Sequence, residues 1–283
     1  MHAVAGVDEL RQQINQWRED KVTVAFVPTM GNLHQGHLSL LKKAQALADK
    51  VVVSIFVNPL QFDDKNDLSA YPRTLEDDLN KLETAECDLV FTPTANVIYP
   101  NGMAEQTIIT VPGMDDKLCG QARAGHFDGV ATVVAKLFNM VQADIAVFGE
   151  KDYQQLLLIK KMVLDLNLPI RILGAETYRE DNGLAMSSRN QYLTAQQRES
   201  AATLYQTLLS VRKNLEQGDT ELRTLELNAF KHLQDLGFKP DYVDIRHADS
   251  LEQAEQGDKS LRVLVAARLG NARLIDNIAC NLA

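Results

Sequence analysis

The first half of the chain alternates short, wholly apolar runs with longer stretches whose apolar residues recur every three or four positions. Val22 to Val27 is the first run, and a turn then leads to a helical stretch from about His37 to Ala48. Val51 to Phe56 is the second, with the β-branched content of a strand buried on both faces. Leu89-Val90-Phe91 is a third, shorter one, and Ile145 to Phe148 is a fourth. Before the fourth, Val130, Val133, Val134, Leu137, Phe138 and Val141 mark one face of a long helix. A further helix, carrying Leu156, Ile159, Val163 and Leu166, leads through Pro169 to a fifth run, Ile170 to Leu173. Strand and helix alternating at these lengths predict an α/β fold, a doubly wound parallel sheet with right-handed crossovers.

Beyond Glu176 the texture changes. One helix with Ala201, Leu204, Leu208, Val211 and Leu215 inward, and another around Leu222 to Leu236, come first. Short strands follow near Tyr242 to Ile245, Leu261 to Val265 and Leu274-Ile275. Helices segregated from strands predict a smaller α+β domain. At 283 residues the chain is long enough for two cores, divided as residues 1–176 and 177–283, although Tyr178 to Asn190 suits either side.

Composition narrows the function classes. Lys+Arg 29 against Asp+Glu 38 gives a formal charge of -9, which argues against nucleic-acid partners and anionic membrane. An anionic small molecule stays open, because it needs only a few local cations. Cys87, Cys119 and Cys280 are too few and too widely spaced for a zinc, redox or disulfide framework. The N-terminus shows no signal-peptide pattern, and Lys136 interrupts even the most apolar helix. These features predict a soluble, cytoplasmic protein.

In an open parallel sheet, ligands bind at the carboxyl ends of the strands, so the segments that follow each strand hold the candidates. After the first comes Pro28-Thr29-Met30-Gly31-Asn32-Leu33-His34-Gln35-Gly36-His37, an H-x-G-H element at a helix start. Free helix N–H groups attract phosphate there, Gly36 clears the approach, and His34 and His37 can donate to phosphate oxygens. A surface His pair or a helix cap reads the same way; a metal site lacks a third ligand nearby. After the second strand, Asn58 and Gln61 can orient a polar substrate without adding charge, although Asn58-Pro59 also suits a plain turn. Asp63 to Tyr71 reads as an acidic flap. Thr74 three residues before Asp77 suggests a cap, and Asp77 and Asp78 are either solvated N-terminal acids or magnesium ligands. Arg123 can bind an anion with His126 beside it, while Lys136 and Asn139 share a helix face. Gly149-Glu150-Lys151-Asp152 opens the next helix, with Lys151 suited to phosphate, Asp152 to ribose and Gln155 to a second substrate. Ser187-Ser188-Arg189 makes a phosphate grip or a capping turn.

Taken together, Pro28 to His37, Phe56 to Phe62, Tyr71 to Thr74, Gly125 to Val130, Lys136 to Asn139, Phe148 to Gln155 and Ser187 to Asn190 resemble the pantoate–β-alanine ligase family. That family lies within the H-x-G-H nucleotidylyltransferase-like superfamily. The stretches run in family order across the chain, the C-terminal third matching mainly in length and pattern. The resemblance implies a Rossmann-like domain with a lid, a homodimer, and two half-reactions. ATP and pantoate give pantoyl-adenylate and pyrophosphate, and β-alanine then displaces AMP. It implies catalytic roles for His37, His34, Lys151 and Arg189. ATP would be held by Met30, Gly31, His34, Gly36, His37, Gly149, Glu150, Lys151, Asp152, Tyr178, Met186, Ser187, Ser188 and Arg189. Pantoate would meet Gln61, Gln155, Asn58 and Arg123, with Gln61 also placing β-alanine, and Mg2+ would screen the phosphates. Ala124 stands where the family commonly has proline, and Leu60 where it commonly has methionine; neither removes a polar group. The rival readings are a nucleotidylyltransferase of the same superfamily and a non-catalytic nucleotide sensor. The uncharged Gln61 and Gln155 favour a polyol acid over a phosphate ester.

Overall fold

The structure, a computed structural model, describes residues 1–62 and 65–282, the side chains of 65–67 and 122 apart. Two compact units divide the chain: Met1–Glu150 with Leu158–Glu176, and Lys151–Leu157 with Thr177–Ala283. In chain order the elements begin with β1 (His2–Val4), α1 (Val7–Glu19), β2 (Val24–Thr29), α2 (Gln35–Gln45) and β3 (Lys50–Ile55). Then come α3 (Lys65–Ala70), α4 (Leu75–Thr84), β4 (Leu89–Phe91), α5 (Ala95–Ile98), α6 (Leu118–Ala122), α7 (His126–Val141) and β5 (Ile145–Gly149). α8 (Tyr153–Asp165) and β6 (Arg171–Ala175) complete this part.

Among the described residues, six parallel strands of the first unit lie in the order β1-β4-β3-β2-β5-β6. The α/β reading therefore holds, with one strand more than the sequence pattern marks. β1 has three residues and pairs only with β4, too short a run to carry a periodic signal. No alternation of buried and exposed positions runs through the middle of β2 or β3, where consecutive residues are all buried, because helices cover both faces of a parallel sheet. From β2 the chain steps one way to β3 and β4, then returns to the other side of β2 as β5. The order reverses between β2 and β5, and open parallel sheets bind ligands at the carboxyl ends of strands at such a reversal. α7 buries Val130, Val133, Val134, Leu137, Phe138 and Val141 as its spacing predicts. Its Lys136 is half-buried, donating to Gln106 Oε1 at 2.8 Å with its Nζ 5.5 Å from the Tyr99 ring centroid.

The second unit contains α9 (Ala195–Ala201), α10 (Thr203–Glu216), α11 (Leu222–Asp235), β7 (Lys239–His247), β8 (Ser260–Leu269) and β9 (Ala272–Asn281). Leu204, Leu208, Val211 and Leu215 of α10 and Leu225 and Leu233 of α11 share a core with Val263, Val265, Leu274 and Ile278. β7, β8 and β9 form an antiparallel sheet in that order. The strands outrun the apolar stretches that mark them in the sequence. β9 in particular continues through Asp276 and Asn277, both buried, where the apolar pattern breaks. Among the described residues, no helix is long and apolar enough to cross a membrane.

Candidate active site

The loop after β2 is held by a carboxylate from α4. Asp78, fully buried, accepts from the Asn32 amide at 2.8 Å and the Leu33 amide at 2.7 Å, and from Thr74 Oγ1 at 3.2 Å. Gly31 makes this possible: its φ is +80°, and a Cβ there would stand 3.0 Å from Asp78 Oδ2. Asp78 is therefore corrected from candidate magnesium ligand to loop anchor, because its oxygens are already occupied by backbone donors. Thr74 likewise spends its hydroxyl on Asp78 rather than on capping α4. Asp77 is exposed, and no group of three His, Cys, Asp or Glu among the described residues is arranged to hold a metal. These carboxylates do not fit a protein-held magnesium site.

The anchored loop delivers His34 to the N-cap of α2, with His37 one turn on. The His34 amide donates to His37 Nδ1 at 3.3 Å, so the neutral His37 ring carries its proton on Nε2. The two rings lie 4.0 Å apart, centroid to centroid. The first turn of α2 holds no acidic residue, which leaves the helix N-terminus suited to an anion.

Gln61 ends a short 3-10 turn after β3, Pro59–Gln61, and four groups position it. Asn58 Nδ2 donates to Gln61 Oε1 and to Gly129 O, both at 3.1 Å, while its Oδ1 accepts from Tyr99 OH at 2.7 Å and Leu60 N at 3.3 Å. All four hydrogen-bonding positions of the Asn58 amide are thus engaged. Asn58, expected to meet pantoate, here spends its amide on supporting Gln61. Its grip orients the Gln61 amide so that Nε2 donates to Met30 Sδ at 3.2 Å. Arg123 Nη1 donates to His126 Nε2 at 3.0 Å, which places the His126 proton on Nδ1, and that group donates to Gln61 O at 2.7 Å. Arg123 Nη2 reaches the same carbonyl at 3.3 Å. Met30, Asn58, Gln61 and Arg123 thus meet in one cluster. Tyr99 and Gly129 belong to it as well and escaped the sequence reading. Burial pushes the Tyr99 hydroxyl well above its ordinary pKa, which keeps it a donor. The Asp63 and Asp64 of the expected acidic flap lie outside the described residues, and Lys65–Ala70 is helical. Gly149 ends β5, and Glu150 opens the 3-10 turn that follows it.

In the second unit, Lys151 and Asp152 precede α8, Asp152 exposed and Lys151 and Gln155 half-buried. Residues 178–186 form a hairpin in which Met186 N donates to Tyr178 O at 2.9 Å. Ser187 caps the following 3-10 turn, its Oγ accepting from Arg189 N at 3.2 Å, and Ser188 and Arg189 are half-buried. Lys151 and Ser187 line one small cavity with Leu184, Asn190, Ile275 and Asp276. The sequence reading missed the polar residues of β9. An Asp-Asn pair interrupting Leu274-Ile275 and Ile278 was the available signal.

Comparison with known proteins bears on the family. The model of the pantoate-β-alanine ligase family matches residues 2–279. The pantothenate synthetase of Shewanella oneidensis is 56% identical over 274 residues, 97% of each chain. The pantothenate synthetase of Thermus thermophilus superposes with a TM-score of 0.91 at 43% identity, covering 98% of this chain and 99% of that one. The pantoate-β-alanine ligase of Francisella tularensis, solved in complex with beta-gamma ATP and β-alanine, has a TM-score of 0.81 at 34% identity, covering 98% and 97%. With the fold, the H-x-G-H helix start and the full-length match in agreement, the chain belongs to the pantoate–β-alanine ligase family.

Proposed function

We propose that the chain condenses pantoate with β-alanine at the expense of ATP, forming pantothenate, AMP and pyrophosphate through a pantoyl-adenylate. Membership of the family over nearly the whole length supports the ligase reading. The observation that carries the chemistry is the His34–His37 pair at the acid-free N-terminus of α2, beside the point where the strand order reverses.

In the first step a pantoate carboxylate oxygen attacks the α-phosphorus of ATP. The bond to the bridging oxygen breaks and pyrophosphate departs. Carboxylate and triphosphate repel each other, so positioning and charge screening must supply most of the catalysis. His37, with its Nε2–H, and His34 would stabilise the extra charge on the five-coordinate phosphorus. Met30, Gly31, Gly36, Gly149, Glu150, Lys151, Asp152, Tyr178, Met186, Ser187, Ser188 and Arg189 would hold ATP, with Lys151 and Arg189 as the charge screen. Gln61, Gln155 and Arg123 would seat pantoate, the uncharged glutamines sparing the carboxylate a quenching ion pair. In the second step the β-alanine amine, placed near Gln61, attacks the acyl carbon. The bond to AMP breaks and the nitrogen loses a proton. Magnesium enters this proposal only as a counter-ion of the ATP phosphates. A cytoplasmic homodimer belongs to it on the family resemblance.

Product analysis tests the reaction. AMP should appear one-for-one with pantothenate, and formation of ADP would contradict the adenylate route. His37→Ala should slow adenylation on the order of 100-fold or more while changing ATP affinity far less, as expected for a donor that acts on developing charge.

A further inference from the structure

Asn277 stands in the middle of β9, buried, with a side-chain amide held at both ends. Its Oδ1 accepts from Arg262 Nε at 2.6 Å, and its Nδ2 donates to the backbone carbonyl of Lys151 at 2.9 Å. Arg262 can only donate, so it fixes which end of the amide is oxygen and turns the NH2 group toward Lys151. Arg262 is itself stacked on Tyr153, its guanidinium carbon 3.9 Å from the ring centroid. Two residues of the segment 151–153 are therefore gripped from β8 and β9, at the turn where the chain enters α8. Next to Asn277, Asp276 makes a two-pronged pair with Arg179, at 2.6 and 2.9 Å, and accepts from the backbone N–H of Asn277 at 2.7 Å. Arg179 in turn donates to Gly183 O at 3.1 Å, in the hairpin that leads to Met186 and Ser187. Buried charge in a strand that otherwise faces an apolar core is costly unless it is paired, and here Asp276 is paired with Arg179.

We infer that Asn277, oriented by Arg262, is a positioning residue for the adenylation step, acting through the backbone of Lys151. A lysine screening a phosphate works only if its stem starts from the right place, and a hydrogen bond to its own carbonyl, just ahead of the helix start, sets that origin. The inference rests on the role proposed above for Lys151, so its test separates the two.

Asn277→Asp keeps the shape and the acceptor for Arg262 but replaces the donor to Lys151 O with a lone pair. The measurement is pantoate-dependent ATP–pyrophosphate exchange in the full-length protein, with thermal melting alongside. Asn277→Asp should lower kcat about 10-fold to 100-fold with a KM for ATP within about 2-fold, as for a displaced catalytic group. In a Lys151→Met background, adding Asn277→Asp should cost nothing further, because the lysine it positions is gone. Asn277→Ala, which removes the donor without adding charge, should behave the same way and replaces the aspartate variant if that one fails to fold. Wild-type exchange in Asn277→Asp or Asn277→Ala, with Lys151→Met impaired, would overturn this inference alone. An equal additional loss in the Lys151→Met background would also overturn it, showing a merely structural role. Wild-type exchange in Lys151→Met would overturn the role of Lys151 and this inference with it.

Discussion

Asp78 accepts from two consecutive loop amides, whereas its neighbour Asp77 projects into solvent. Identical side chains at adjacent positions therefore have different worth, and composition cannot tell them apart. Asp78→Asn would set an NH2 group against one of those amides and leave a buried donor unmatched, costing about 1–3 kcal/mol. Thermal melts should show a lowered Tm for Asp78→Asn and an unchanged one for Asp77→Asn. Equal shifts would argue that the two act as a pair. The sequence supported both residues as helix-start acids, and only the position of Asn32 and Leu33, 45 residues or more away in the chain, distinguishes them. Asn58 carries the same lesson. Its amide type suits a substrate, but Tyr99 and Gly129, remote in sequence, consume it.

At the scale of elements, α7 approaches the 3-10 turn Pro59–Gln61 so closely that a Cβ on Gly129 would lie 2.5 Å from Leu60 O. That oxygen belongs to backbone and cannot swing aside. Gly129→Ala should push the turn away from the helix and misplace Gln61. Steady-state kinetics should show a raised KM for pantoate with the KM for ATP nearly unchanged; an equal rise in both would contradict the placement of Gln61. The long helices and central strands were legible because their burial repeats with a clear period, as in α7 and α10, or runs unbroken, as in β2 and β3. β1 was not legible, since three residues hold too little pattern. The length of β9 was not either, since a buried ion pair and a buried amide break its apolar alternation. The contact of Gly129 with the turn was not legible either, because close packing against a distant turn leaves no local mark.

Across the whole molecule, the charge of -9 is a surface average that leaves particular sites free to carry the opposite sign. Glu226, in the second unit, contributes to how stability varies with pH. Burial raises the Glu226 pKa above its ordinary value of 4.5, and the Ile245 amide and Arg223 offset that only in part. The native state thus holds the proton more tightly than the unfolded chain. The resulting stability is full below the unfolded pKa and is lost as pH rises through the folded one. Glu226→Gln should flatten the decline in denaturant midpoint as pH rises from about 4.5, and an unchanged slope would contradict it. The central claim concerns chemistry. Radiolabelled pyrophosphate, incubated with ATP and the enzyme without β-alanine, tests it most directly. Label should enter ATP only when pantoate is present; exchange that ignores pantoate, or none until the amine is added, would contradict a pantoyl-adenylate intermediate.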